Sequence, residues 1–187
     1  MRTKDEKKVK AIRDAVIELS QADGFTNLTT ANVAKKAGVS PATIYWYYKD
    51  KTDLLSRLYE EVKKELHSGL TEEMEKVGTD LTSQLTAMLH FTITQAQKFP
   101  KESHFVTALW TNQELLDVQA QEFGKQETDA LLILYKKIQT DSDFIDASQA
   151  VLSTFCSVPS VLLQTMNDVN EEEINQTVEL VVKTLRK

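Results

Sequence analysis

The chain is predicted to be all-α, with a compact three-helix head at the N-terminus and a larger helical body behind it, about nine helices in total. Three observations predict this. Only 5 Gly and 3 Pro occur in 187 residues, too few turn formers for an all-β chain of this length. Apolar residues recur at spacings of three and four along most of the sequence, the period of a helix with one buried face. Helix start and stop residues punctuate those stretches. Apolar residues make up 41% and charged residues 27%, enough to bury a core and too apolar for disorder.

Val9, Ile12, Val16 and Leu19 form the first stripe, and Gly24 is placed to end it. Phe25 and Leu28 then give the connection something to bury. Thr30 is the expected N-cap of a short second helix carrying Val33, Ala34 and Ala37, which Gly38 ends. Ser40 followed by Pro41 is a strong start for a third helix, with serine at the N-cap and proline in the first turn. That helix runs through Ala42, Thr43, Ile44 and Tyr45 towards Tyr48. Asp50 can cap a long fourth helix with Leu54, Leu55, Leu58, Tyr59, Val62 and Leu66 on its apolar face. Gly69 and Gly78 bracket a region of unassigned breaks. A helix from Asp80 carries Leu81, Leu85, Met88, Leu89 and Phe91, and Phe99-Pro100 ends it. Further helices are expected over 102–111, 114–139, 146–166 and 171–186. The domain division expected from this pattern is 1–52 and 53–187.

The net charge of −6, taken whole, argues against a nucleic-acid partner. It is unevenly distributed. Residues 1–51 hold 10 Lys/Arg against 6 Asp/Glu, a net of +4; residues 52–187 hold 12 against 22, a net of −10. A basic head sits in sequence before an acidic body. No apolar run is long enough to span a membrane, and the charged start lacks the apolar stretch of a signal peptide. The single cysteine, Cys156, suits a reducing compartment, so a cytoplasmic location is expected.

The segment 29–51 reads as helix, tight turn at Gly38, helix, which is a helix-turn-helix. The run Tyr45, Trp46, Tyr47, Tyr48 holds four of the chain's 14 aromatic residues. Successive helical residues point about 100° apart, so four in a row cannot share one buried face. Ile44 and Tyr48 fall on one side and are expected to pack inward, leaving Tyr45, Trp46 and Tyr47 facing out. Outward aromatics with polar handles call for a partner. Lys35, Lys36, Lys49 and Lys51 surround them, which makes this a phosphate-facing surface.

The stretch 28–55, LTTANVAKKAGVSPATIYWYYKDKTDLL, resembles the DNA-binding signature of the tetracycline-repressor (TetR) family in its AGVS turn, the T-I-Y that follows and the K-x-K-x-x-L-L continuation. The resemblance covers about the first third of the chain. It implies that Thr30 caps its helix and donates to a phosphate, that Ser40, Pro41, Ala42 and Thr43 enter the major groove, and that Tyr45 and Tyr47 bond phosphates. It places Trp46 against the backbone or a thymine methyl, with Lys49 and Lys51 beside phosphates. Ala31 departs from the pattern, standing where some members carry a basic residue. The recognition helix also lacks Arg, Asn or Gln for bidentate base contacts, so Thr43, apolar contacts and DNA shape carry more of the readout.

One helix-turn-helix spans few base pairs, so a homodimer on a palindromic operator is expected. Val151, Phe155, Val158 and Leu162 are spaced 4, 3, 4, and Ile174, Val178, Val181 and Leu185 repeat the spacing in three steps. These stripes can build a four-helix dimer bundle or face their own core; the resemblance favours the dimer. Phe91, Gln95, Phe105, Trp110, Tyr135 and Phe155 are the candidates for an effector pocket, since TetR-like proteins bind small molecules. The implied mechanism is a repressor released from DNA when an effector tilts the helix from Lys51 to about Leu66. Half-sites lie about 34 Å apart, so a small change in head spacing breaks docking, and a coupling of about 1–3 kcal/mol suffices.

Two other functions compete. An enzyme lacks a motif: His67, His90 and His104 are scattered, no HExxH or Gly-rich phosphate loop occurs, and Cys156 lies in an apolar stripe. Glu171, Glu172 and Glu173 suit a helix N-terminus better than a metal site. No catalytic residue, metal or cofactor is expected. A helical protein-interaction module without DNA binding would explain the dimer stripes and leave the aromatics beside lysines unexplained.

Overall fold

The computed structural model describes residues 5–125, 129–165 and 169–187. Among the described residues the chain forms eleven α-helices and one 3₁₀ turn, and the one bridge in extended conformation, Phe144 with Arg186, is isolated. The chain divides into two compact units: residues up to Lys64 together with Lys101–Lys125, and Glu65–Pro100 together with the residues from Gln126 onward.

The first unit begins with α1 (Glu6–Asn27), which buries Ile12, Ala15, Val16 and Ile17. Gly24 does break the helix, at φ 70° and ψ 167°. The chain then resumes a last turn to Asn27, whose Nδ2 donates to the Asp23 carbonyl at 3.0 Å. The expected end at Gly24 is therefore a kink, followed by buried Leu28. The short helices α2 (Thr30–Ala37) and α3 (Pro41–Tyr47) complete the head. Helix α4 (Lys51–His67) starts under the Asp50 carboxylate, which accepts the Asp53 N–H at 2.8 Å, and buries Leu54, Leu55, Leu58, Tyr59 and Val62.

Two later helices also belong to this unit. Helix α7 (Pro100–Thr111) has proline in its first turn and buries Ser103, Phe105 and Leu109. The Phe105 ring lies 6.0 Å from that of Phe25. The single long helix expected over 114–139 does not form. A 3₁₀ turn, Gln113–Leu115, leads to an extended Leu116, and Asp117 starts α8 (Val118–Lys125) afresh by accepting the Ala120 N–H at 2.8 Å. Residues 126–128 of that expectation lie outside the described residues. This extra division and a short helix between Gly69 and Gly78 account for the count above nine.

The second unit contains α5 (Leu70–Lys76), α6 (Leu81–Lys98), α9 (Asp129–Thr140), α10 (Gln149–Thr165) and α11 (Glu171–Leu185). Asp80 caps α6 through the Ser83 N–H at 2.7 Å, and α11 opens with a capping box of Asn170 and Glu173. Helix α10 begins three residues later than expected, and Met166 lies outside the described residues. The core joins Leu70 and Met74, then Leu85, Met88, Leu89 and Ile93, with Leu134, Ile138, Phe144 and Leu152.

That core also takes Ile174, Val178, Val181 and Leu185, which corrects the expectation that this stripe offers a dimer surface. They form the only apolar face of an amphipathic helix, and such a face packs on its own core first. Helix α10 is different, because it is apolar on two sides. Leu152, Cys156 and Pro159 point inward, while Val151, Phe155, Val158 and Val161 are exposed and Leu162 is half-buried. No described helix is long and apolar enough to cross a membrane.

Candidate nucleic-acid interface

The start of α2 fixes the first contact pair. Thr29, not Thr30, is the N-cap: its backbone is extended and its Oγ1 accepts the Asn32 N–H at 3.1 Å. Thr30 is the first helical residue, which frees its hydroxyl from capping. That hydroxyl lies 3.0 Å from the Tyr45 hydroxyl, so two groups 15 residues apart sit side by side at the surface. At the other end of α2, Gly38 adopts φ 66° and ψ 31°, a left-handed geometry that glycine alone enters without strain. The Val39 N–H then returns to the Ala34 carbonyl at 3.0 Å. The turn delivers Ser40 as the N-cap of α3. Its Oγ accepts the Thr43 N–H at 3.2 Å and lies 2.9 Å from the Thr43 hydroxyl.

Helix α3 is anchored by Ile44, fully buried, and by Tyr48 just beyond its end. Burial, with the Glu61 and Asp53 carboxylates adding to it, pushes the Tyr48 phenol up to about 12. Its opposite side presents Pro41, Ala42, Tyr45 and Trp46 to solvent, the last two 57% and 53% exposed. Thr43 and Tyr47 are half-buried. Tyr47 departs from the fully outward orientation expected. Its ring lies edge-on to Trp46 at 4.6 Å, and its hydroxyl accepts the Asp5 N–H at 3.1 Å. The start of α1 covers that side of α3 and supplies the donor, leaving the phenol hydrogen available to an acceptor.

The lysines differ in what they offer. Lys35 and Lys49 are exposed. Lys36 pairs with Glu18 at 2.8 Å, and Lys101 approaches the same carboxylate at 3.8 Å. The Lys36 bond and charge, then the Lys101 charge, hold the Glu18 carboxyl below its ordinary range, and Glu18 raises Lys36 in return. Lys51 is half-buried and donates to the Phe25 carbonyl at 2.5 Å, so it fastens the start of α4 to the end of α1. Ala31 is exposed.

Sequence reading missed a charged cluster behind this surface: Asp53, Arg57, Glu60 and Asp117. Arg57 lies 3.5 Å from Asp53, 2.7 Å from Glu60 and 2.5 Å from Asp117. The spacings within α4 are legible as helical neighbours; the third partner of Arg57, 60 residues away, is not.

Of the six effector candidates, Phe91, Gln95, Tyr135 and Phe155 belong to the second unit, and Phe105 and Trp110 to the first. Phe91 and Gln95 are half-buried and Tyr135 is buried, while Phe155 is 37% exposed. Phe105 is core. Trp110 is 37% exposed, with the Lys63 ammonium 5.9 Å from its ring. Among the described residues no group of three or more His, Cys, Asp or Glu is gathered to hold a metal ion.

A short helix, a left-handed glycine turn and a capped helix with an outward aromatic face, flanked by lysines, define a helix-turn-helix DNA-binding domain. Residues 12–58 match the family described as bacterial regulatory proteins, tetR family. The chain accordingly carries, over residues 12–58, the DNA-binding domain of the TetR family of transcriptional regulators. It is 28% identical over 161 residues, 80% of this chain and 79% of the relative, to the nucleoid occlusion factor SlmA of Glaesserella parasuis serovar 5 (strain SH0165). It is 32% identical over 78 residues, 42% of this chain and 36% of the relative, to the HTH-type transcriptional regulator AcrR of Shigella flexneri. A solved TetR-family transcription regulator from Marinobacter aquaeolei VT8 shares the fold at a TM-score of 0.83 and 22% identity, covering 100% of this chain and 99% of that one. The N-terminal helix-turn-helix and the C-terminal helical region of the expected all-α fold are thus both present.

Proposed function

We propose that this regulator is a repressor that docks as a homodimer on a palindromic operator and leaves it when a small-molecule effector binds. Residues 1–52 read DNA and residues 53–187 bind effector and partner copy. The observation that carries the DNA reading is the exposure of Tyr45 and Trp46 on a helix whose other side is pinned by Ile44 and Tyr48. In this reading Ser40, Pro41, Ala42 and Thr43 enter the major groove. The paired hydroxyls of Thr30 and Tyr45 serve one phosphate, Tyr47 donates its remaining hydrogen to another, and Trp46 lies along the backbone. Lys49 supplies charge, and Lys51 adds to it while holding the turn. The dimer uses Val151, Phe155 and Val158, with Val161 continuing the row, and Leu162 at its edge. The effector is met in the second unit by residues drawn from Phe91, Gln95, Tyr135 and Phe155. The protein works by binding, in the cytoplasm and on the nucleoid when bound to DNA, and needs no catalytic group.

Binding to a short mixed-sequence duplex, followed by fluorescence anisotropy across a salt series, tests the DNA reading. Affinity falls with rising salt, and Lys49→Ala reduces the slope of log affinity against log salt by about 1. Affinity indifferent to salt would overturn the reading.

A further inference from the structure

We infer that Arg57 and Asp117 are positioning residues for the DNA-facing turn at residues 48–51, joining the start of α8 to that turn through Asp53. The chain of contacts is continuous. Asp117 caps α8 with Oδ1, which accepts the Ala120 N–H at 2.8 Å, and its own N–H donates to the Ser56 hydroxyl at 2.8 Å. Ser56 is fully buried in α4, so Asp117 is held by backbone and side chain together. Its Oδ2 accepts Nη2 of Arg57 at 2.5 Å. Arg57 Nη1 donates to both Glu60 oxygens, at 2.7 and 2.8 Å. Its Nε is buried, makes no hydrogen bond and lies 3.5 Å from Asp53 Oδ1. The other Asp53 oxygen accepts the Lys49 N–H at 3.0 Å, while the Asp53 N–H donates to Asp50.

Three carboxylates therefore converge on one guanidinium directly behind a turn that carries Lys49 and Lys51. Burial raises the Asp117 carboxyl, but the Ala120 N–H and the Arg57 bond and charge outweigh it and hold the carboxyl below its ordinary range, with Lys49 adding a smaller pull. The planar guanidinium donates to Glu60 and Asp117 in fixed directions while its Nε edge lies beside Asp53; an ammonium at the same place lacks that rigid geometry. Without the fork, the Asp53 carboxylate that accepts the Lys49 N–H is no longer held in a fixed position. The four residues link a segment far along the chain to the reading head by directional bonds, within one compact unit.

The inference rests on the reading of Lys49 as DNA-facing, and two measurements keep them apart. Amide hydrogen exchange in the intact protein reads the relay without DNA. Asp117→Asn keeps an oxygen for the α8 cap and removes the charge from Arg57; Arg57→Lys keeps the charge and removes the fork. Both variants are expected to speed exchange at the Lys49 and Asp53 amides by about tenfold or more, the factor set by loss of a hydrogen bond to a charged group. Amides of α1 and α6 stay as in the parent. Both also weaken binding to a mixed-sequence duplex. Uniformly faster exchange throughout the chain, or an unchanged turn, overturns the inference. A loosened turn with unchanged DNA affinity overturns it too. If Lys49→Ala itself leaves DNA binding intact, it is the DNA-facing reading that fails.

Discussion

Both compact units bury an apolar core, and the first adds ties of another kind. In the first, separate elements are tied by directional polar contacts. Lys51 reaches the Phe25 carbonyl, Lys63 the Gly124 carbonyl at 2.7 Å, Ser56 and Arg57 reach Asp117, and Lys36 pairs with Glu18. In the second, the helices meet through an apolar core of leucine, isoleucine, valine, methionine and aromatic side chains. A backbone bond also joins the segment after α9 to α11, where the Ile145 N–H meets the Leu185 carbonyl at 2.9 Å. Hydrogen bonds fix angles and positions, whereas apolar packing fixes volume and tolerates swaps that conserve it. A head that must meet a rigid duplex in one orientation gains from the former. A region proposed to take up an effector and a partner copy gains from the latter.

This contrast can be broken by experiment. The largest expected effect is in the apolar unit: Leu152→Ala, at a fully buried position, costs about 2–5 kcal/mol in chemical denaturation. Leu89→Met, which conserves volume, costs below about 1.5 kcal/mol and leaves DNA affinity unchanged. Loss of DNA affinity in Leu89→Met would mean that the second unit also needs exact geometry.

In the polar unit, Gly124→Ala places a Cβ 2.6 Å from the Trp110 ring and 2.7 Å from the Tyr59 hydroxyl. Overpacking of about 1–3 kcal/mol exceeds the gain in helix propensity of about 1 kcal/mol, so the variant melts earlier. Alkaline pH should act here as well. The Tyr48 phenol is raised from 10.0 to about 12 in the folded protein. The stability it contributes is complete below pH 10 and is lost as pH rises towards 12. A titration of unfolding free energy over that range should fall by up to about 2 kcal/mol from this residue, and Tyr48→Phe should remove that part of the slope. The smallest effect separates two neighbouring hydroxyls. Thr29→Ala costs about 1 kcal/mol of stability as a lost cap, while Thr30→Ala leaves stability nearly unchanged and weakens DNA binding.

Local signals in the sequence were good guides. Ser40-Pro41, Gly38 and Asp50 are each where the sequence places a helix end or start, because capping depends on residues within one turn. Ile44 and Tyr48 face inward and Tyr45 and Trp46 outward, as helical geometry requires. The stripes of α10 and α11 were harder. Their spacings match, yet Ile174, Val178, Val181 and Leu185 are core while Val151, Phe155 and Val158 are exposed. Spacing shows that a face is apolar without saying what covers it; the second apolar side of α10 was the better signal. The Thr29 cap was missed because two threonines stand together and only the backbone decides between them. Asp117 was missed because its partner is 60 residues away.

The chain's two tryptophans occupy very different settings. Trp46 stands half in solvent on α3, edge-on to Tyr47, and Trp110 lies beside the Lys63 ammonium and the α8 backbone. On the proposed reading of α3, the protein thus carries its own optical reporter of docking. In a Trp110→Phe background all indole emission comes from the recognition helix, and covering that ring with a duplex shifts the emission to shorter wavelength without any attached dye. Operator fragments could then be ranked in solution by the colour of a single native side chain.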